Sequence, residues 1–178
     1  MRIEETDLAG CFDLHPVIHE DCRGRFVKMF QKSGWQSKQM ECDFKESYYS
    51  ISRKNVLRGL HFQIPPMAHS KMIYCVDGVI WDVVLDIRKN SATYGLSHGV
   101  ELSSNRGNGV YVSEGFAHGF LTLSDVATVL YFVTSEYDAA RDTGVLWNSA
   151  NIKWPNELPA ISERDSGFVP LSEFHSPF

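Results

Sequence analysis

Apolar and polar residues alternate with a period of two along much of the chain, the spacing of a β-strand with two unlike faces. Val79 to Ile87 shows it most clearly. Val79, Trp81, Val83, Leu85 and Ile87 share one face, and Ile80, Asp82, Val84 and Asp86 share the other. Met72 to Val76 precedes this stretch, and Asp77-Gly78 between the two reads as a hairpin turn. Gly99 to Leu102, Gly109 to Val112 and Ala127 to Thr134 are further short strands, set off by Gly, Asn and Ser. Helical periodicity is scarce: Ser33 to Met40 suits one short helix, and the tail after Pro155 another turn or two. Many evenly spaced strands predict an all-β chain folded as an antiparallel barrel or a double-sheet jelly roll. The mouth of such a barrel holds small ligands.

Length and composition narrow this picture. With 178 residues and no repeat or linker, the chain is expected to form one domain over residues 1–178. No apolar run approaches the roughly 20 residues of a membrane helix. The opening residues, MRIEETDLAG, carry acidic groups and no secretion signal, so the expectation is a cytoplasmic protein without a membrane partner. A net charge of −5 argues against a nucleic-acid partner, which wants a basic patch. It leaves room for a nucleotide ligand, because two or three placed Arg or Lys residues can hold a diphosphate. Cys11, Cys22, Cys42 and Cys75 make no CxxC pair, which points to plain thiols rather than a zinc or redox motif.

Four segments carry candidate chemistry: Asp21 to Phe26 (DCRGRF), Val56 to Gln63 (VLRGLHFQ), Gly115 to Phe120 (GFAHGF), and Leu130 to Tyr137 (LYFVTSEY) followed by Gly144 to Asn148 (GVLWN). Each has a plain reading. His61 could be a satisfied core histidine, the glycines around His118 tight turns, Tyr131 core packing, and Arg23 and Arg58 surface ion pairs.

Together, in this order and spacing from about residue 12 to residue 172, they resemble the dTDP-4-dehydrorhamnose 3,5-epimerase family, whose members are cupin-like jelly rolls. SKM at 70–72, GVIWDVVLDIRKNSATYG at 78–95 and IKWP at 152–155 extend the match. The resemblance implies an isomerase that inverts C3, C5 or both of a nucleotide-diphospho 4-keto-6-deoxyhexose. Such an enzyme serves deoxysugar biosynthesis of the surface polysaccharide type, with lipopolysaccharide O-antigen as an example. It implies no cofactor and no metal, and a homodimer. His61 falls on the proton-abstracting base, Asp165 on its carboxylate partner, and Tyr131 on the proton donor of the opposite face. Arg58, Lys71, His118, Asp142 and Arg164 fall on or near substrate contacts. Tyr137 falls on an aromatic that stacks on the nucleotide base. Arg23 and Phe26 fall on residues that the neighbouring subunit lends to the site.

The residue types suit that chemistry. Removing a proton beside a ketone needs a base that titrates near neutrality, and histidine's ordinary pKa is about 6.5. A carboxylate on its other nitrogen fixes the tautomer. The enolate oxygen wants a cation in a dry pocket, for which Lys71 is the first candidate. Inversion needs a second proton source across the ring, because one base returns its proton to the same face; Tyr131 can supply it. Arg23 and Arg58 suit a diphosphate.

Two features do not fit smoothly. Arg58 and His61 have opposite parity, so a regular strand would aim them at opposite faces; a bulge, or the end of the strand, near Gly59 could bring both inward. Lys28, Glu46 and Tyr48 stand where the family commonly has Glu, Gln and Asn. All three lie in stretches that contact substrate, whereas the dyad and the tyrosine are kept. Either the substrate differs, in its nucleotide or by inversion at C3 alone, or the three positions are tolerant rim.

Three other functions compete. A nucleotide-sugar ketoisomerase also enolises through His but has no use for a tyrosine on the far face. A metal-dependent cupin typically starts with an HxH pair, and the seven His here are scattered. A non-catalytic sugar-nucleotide binding barrel would keep the arginines and lose the dyad.

Overall fold

A computed structural model describes residues 1–36, 38 and 40–178. In chain order its strands are β1 (Arg2–Glu5), β2 (Cys11–His15), β3 (Ile18–Asp21), β4 (Gly24–Val27), β5 (Glu46–Arg53), β6 (Leu57–Gln63) and β7 (Lys71–Asp77). They continue with β8 (Val79–Asp86), β9 (Ser97–Ser103), β10 (Gly109–Val112), β11 (Phe116–Thr122), β12 (Val126–Val133) and β13 (Asp142–Gly144). Two short helices are α1 (Lys32–Gln36) and α2 (Glu163–Ser166), and a 3-10 turn spans Leu171–Glu173. The expected helix at 33–40 is thus α1 over its first half; Ser37 and Gln39 lie outside the described residues. The tail after Pro155 does hold the turns its sequence suggests.

The strands form a six-stranded sheet in the order β1-β2-β10-β7-β12-β5, a five-stranded sheet in the order β13-β6-β11-β8-β9, and the separate hairpin β3-β4. Neighbours within each sheet are antiparallel. The chain is an all-β, antiparallel double-sheet jelly roll of cupin-like form. The alternation along Val79–Ile87 is resolved into two cores. Ile80 and Val84 face the space between the sheets, with Ile73, Val110, Phe116 and Val129. Trp81, Val83, Leu85 and Ile87 face outward and are covered by the C-terminal segment through Ile152, Trp154, Phe174 and Phe178. The outer face of the larger sheet is covered in turn by Trp35, Met40, Phe30 and Phe44. Burying both faces of each central strand explains why these strands are so apolar.

One turn departs from the sequence reading. Asp77-Gly78 is not a hairpin: β7 belongs to the larger sheet and β8 to the smaller. The corner needs glycine, since Gly78 has φ +77° and a Cβ there would meet the Val126 carbonyl oxygen at 2.2 Å. The local signal for a tight turn is real. Whether a turn pairs its two strands or passes the chain to another sheet is decided by long-range pairing.

Candidate active site

Between the two sheets lies a cavity of about 320 Å³. The larger sheet lines it with Glu46, Tyr48 and Ser50 of β5, Lys71 of β7 and Tyr131 of β12; the smaller sheet lines it with Arg58, His61 and Gln63 of β6, His118 of β11 and Asp142 of β13. His69 and Tyr137 close its rim. The parity conflict between Arg58 and His61 is settled by a bulge. His118 pairs with His61 and Phe120 with Arg58, so Gly59 and Leu60 stand opposite the single Gly119. Gly59 takes φ +129°, and a Cβ on it would lie 2.6 Å from the Gly119 Cα. Leu60 turns outward into the second core, and Arg58 and His61 both reach the cavity.

His61 Nε2 lies 2.8 Å from Asp165 Oδ1. The other carboxylate oxygen accepts the Gly59 N–H at 3.0 Å, and the Asp165 N–H is capped by the Ser162 hydroxyl at 3.1 Å. Burial works to raise the Asp165 pKa, but the His61 ring, the Gly59 N–H and Ser162 together hold it below the usual carboxylate value. With Nε2 committed to the carboxylate, Nδ1 is left as the basic nitrogen. Phe168 meets the His61 ring edge-on at 5.7 Å.

Facing this pair from the other sheet is Tyr131. Burial, with Tyr48 and Asp82 adding to it, pushes its phenol well above the ordinary value, so it is protonated at neutral pH. Tyr48 stacks on it at 4.8 Å and 21°, and His118 meets it at 6.1 Å and 76°. The Lys71 ammonium donates to the His61 carbonyl at 3.2 Å. Burial pulls its pKa down to about 8, with Asp142 and Asp82 opposing, so it is a cation at pH 7. Arg58 donates to the Ser52 hydroxyl at 2.9 Å. Glu46 accepts the Tyr137 N–H at 2.7 Å, and Asp142 pairs with Arg164 at 2.6 Å.

The structure thus gathers most of the sequence-predicted residues at one cavity, with Asp165 and Arg164 directly behind it. Arg23, Phe26 and Lys28 stand apart. Arg23 and Phe26 lie on or at the turn of the exposed hairpin β3-β4, Lys28 follows it, and none of the three lines the cavity. Arg23 is paired with Asp21 in solvent. Sequence reasoning gave no role to Asp82, whose Oδ2 lies 2.8 Å from His118 Nε2. Its place was legible, as the acid on the inward face of Val79–Ile87. Gln63, His69 and Phe168 carried no such signal. Among the described residues no group of three or more His, Cys, Asp or Glu side chains converges as a metal site.

The model of the dTDP-4-dehydrorhamnose 3,5-epimerase family matches residues 5–173. The chain belongs to that family. Among curated members, the dTDP-4-dehydrorhamnose 3,5-epimerase of Methanothermobacter thermautotrophicus is 39% identical over 177 residues, 97% of this chain and 95% of the relative. The solved structure of NovW from Streptomyces spheroides, a 4-keto-6-deoxy sugar epimerase, superposes with a TM-score of 0.93 at 33% identity, covering 97% of this chain and 88% of that one. ChmJ from Streptomyces bikiniensis, a 3'-monoepimerase solved with dTDP-quinovose, superposes with a TM-score of 0.89 at 33% identity, covering 95% and 87%. The proteins that this chain resembles therefore include ones named for two inversions and one named for a single inversion. Within the family's jelly roll, the cavity of this chain lies between the two sheets, at the bulge in β6.

Proposed function

We propose that this isomerase epimerises a nucleotide-diphosphate-linked 4-keto-6-deoxyhexose, with His61 as base and Tyr131 as acid. The observation that carries the reading is the placement of His61, backed by Asp165, and the Tyr131 phenol on opposite sheets of one cavity. His61 removes the proton from a carbon beside the C4 ketone, and Asp165 steadies the resulting imidazolium. The enolate oxygen is stabilised by the buried Lys71 ammonium. Tyr131 then delivers its phenolic proton to the opposite face, and water reprotonates the phenolate. Arg58 takes the diphosphate, Tyr137 the base, and Glu46, Tyr48, His118, Asp142 and Arg164 border the sugar and its linkage. A ketoisomerase would leave Tyr131 idle.

The test is exchange in deuterium oxide with dTDP-, CDP- and GDP-linked 4-keto-6-deoxy sugars. The wild type incorporates deuterium beside the ketone. His61→Asn lowers the rate on the order of 10²-fold or more while binding changes little. Exchange at the wild-type rate in that variant refutes the role of His61.

The reading extends to a homodimer in which Arg23, Phe26 and Lys28 reach the partner's site. Two features support it. The hairpin bearing Arg23 and Phe26 projects into solvent, with Phe26 61% exposed, and the edge strand β5 leaves Tyr49 and Ile51 uncovered. A fully active monomer by light scattering at micromolar concentration would end this idea. All four cysteines are free thiols, which suits a reducing cytoplasm. We propose surface polysaccharide as the destination of the product, so a deletion strain is expected to lose one deoxyhexose from that polymer.

A further inference from the structure

We infer that Tyr48 is a positioning residue that clamps the ring of Tyr131 and so confines inversion to one of the two carbons flanking the C4 ketone. The inference rests on the epimerase reading and deepens it.

Tyr48 and Tyr131 are direct partners across the β5–β12 ladder. Their rings stack at 4.8 Å and 21°. On the other side the edge of His118 meets Tyr131 at 6.1 Å, and His118 is itself anchored to Asp82 at 2.8 Å. Tyr131 is 7% exposed, so the phenol ring is gripped between a stack and an anchored edge. Tyr48 is 41% exposed and sits on an edge strand. It belongs to none of the three hydrophobic cores. Core packing therefore does not account for its ring, whose contacts are the cavity and the stack on Tyr131.

The chemical consequence follows from what inversion needs. At either carbon, His61 takes the proton and the C–H electron pair passes into the enolate. A new C–H bond then forms on the opposite face as the Tyr131 O–H bond breaks. The acid must be within about 3–3.5 Å of its carbon, and a misplacement of about 1 Å costs on the order of 10²-fold. C3 and C5 flank C4, so an acid aligned for delivery to one carbon is off the line of approach to the other by more than about 1 Å. A mobile acid could serve both by swinging between them. An acid held by Tyr48 and His118 serves one, while Lys71 and Arg58 keep the sugar from turning under it. At the second carbon His61 can exchange the proton, but without Tyr131 it returns it to the same face.

The experiment uses dTDP-4-keto-6-deoxyglucose in deuterium oxide, with label and configuration at C3 and C5 followed by NMR. The wild type is expected to invert one carbon on the order of 10²-fold faster than the other. C3 is the position to watch, given the departures at residues 28, 46 and 48. Tyr48→Phe keeps the stack and the ratio. Tyr48→Asn loses the stack and brings the ratio down at least about tenfold. Tyr48→Leu is a second stackless variant in case Asn disturbs β5, and thermal unfolding checks both. Inversion of both carbons by the wild type at rates within about tenfold overturns the inference, as does a ratio unchanged in both stackless variants. No exchange at either carbon of the dTDP-, CDP- and GDP-linked sugars alike brings down the epimerase reading itself, and the inference with it.

Discussion

Two imidazole–carboxylate pairs have their histidines on adjacent strands of the smaller sheet, and their bond lengths are the same. His61 and Asp165 meet at 2.8 Å, and so do His118 and Asp82. The two histidines are direct partners across the β6–β11 ladder. Their access to the cavity differs. The His61 side chain is 29% exposed, whereas His118 is 4% and Asp82 fully buried. Asp165 comes from a distant helix, and both its oxygens are satisfied. Asp82 comes from the neighbouring strand β8, and its second oxygen has no hydrogen-bond partner among the described residues. Equal geometry therefore does not mean equal function. On the function proposed above, the open pair takes a proton from the substrate and releases it. From the closed pair, Asp82 adds to the rise of the Tyr131 phenol and opposes the loss of the Lys71 proton.

The widest separation between the pairs is expected from matched substitutions. Asp165→Asn favours the wrong imidazole tautomer and lowers exchange on the order of 10²-fold or more. Asp82→Asn acts chiefly on the fold. It weakens a charge-assisted bond in a dry site, so the urea midpoint drops by the equivalent of about 1–3 kcal/mol, and exchange by the folded protein falls less than in Asp165→Asn. Equal loss of activity in the two variants, with stability intact in both, would erase the distinction.

The contrast sharpens with pH through Lys71, which lines the same cavity as both histidines. Its folded pKa is about 8, below its ordinary 10.5, because it is buried. It is therefore charged below about pH 8 and neutral above. An enolate that depends on this cation loses its stabilisation as pH rises through 8, so kcat/KM falls by up to about tenfold per pH unit above that point. Lys71→Arg keeps the charge and moves the falling limb upward. Asp142→Asn removes a group that favours the cation and moves the limb downward. A wild-type profile flat to about pH 10 would show that the Lys71 charge takes no part in the reaction.

How much of this was legible before folding depends on whether the signal was local. The period of two in Val79–Ile87 assigned both faces correctly, and with them the inward place of Asp82. The same rule applied to β6 sets Arg58 and His61 apart. Only the bulge, which exists because β11 offers a single Gly119 opposite Gly59 and Leu60, brings them together. The β7–β8 corner was readable as a turn but not as a change of sheet. β11, which could have been glycine turns around His118, is a full strand whose Gly119 lets the Arg58 backbone pass within 2.6 Å of its missing Cβ. The His61–Asp165 contact spans 104 residues. No periodicity in the four-residue helix α2 announces it, and family resemblance alone pointed there.

The smallest expected effect concerns what steadies the open pair, since the closed one is steadied by burial. Phe168 is the candidate. Its ring meets His61 edge-on at 5.7 Å, and the Arg164 guanidinium lies over it at 5.4 Å. Gly144 faces His61 across the β13–β6 ladder, and a Cβ there would lie 2.3 Å from the Phe168 ring. The ring thus fits against a glycine and beside the base. An edge-on aromatic contact contributes about 0.5–1.5 kcal/mol, which corresponds to roughly two- to tenfold. Phe168→Leu should therefore lower kcat by that much, leave KM near its wild-type value, and spare the fold. Phe168→Tyr keeps the edge and should keep the rate. Gly144→Ala forces the same ring away by another route, and its kcat should fall at least as far. A Phe168→Leu enzyme with unchanged kcat would mean that Asp165 alone orients the base, and that the open pair needs no more support than its own hydrogen bonds.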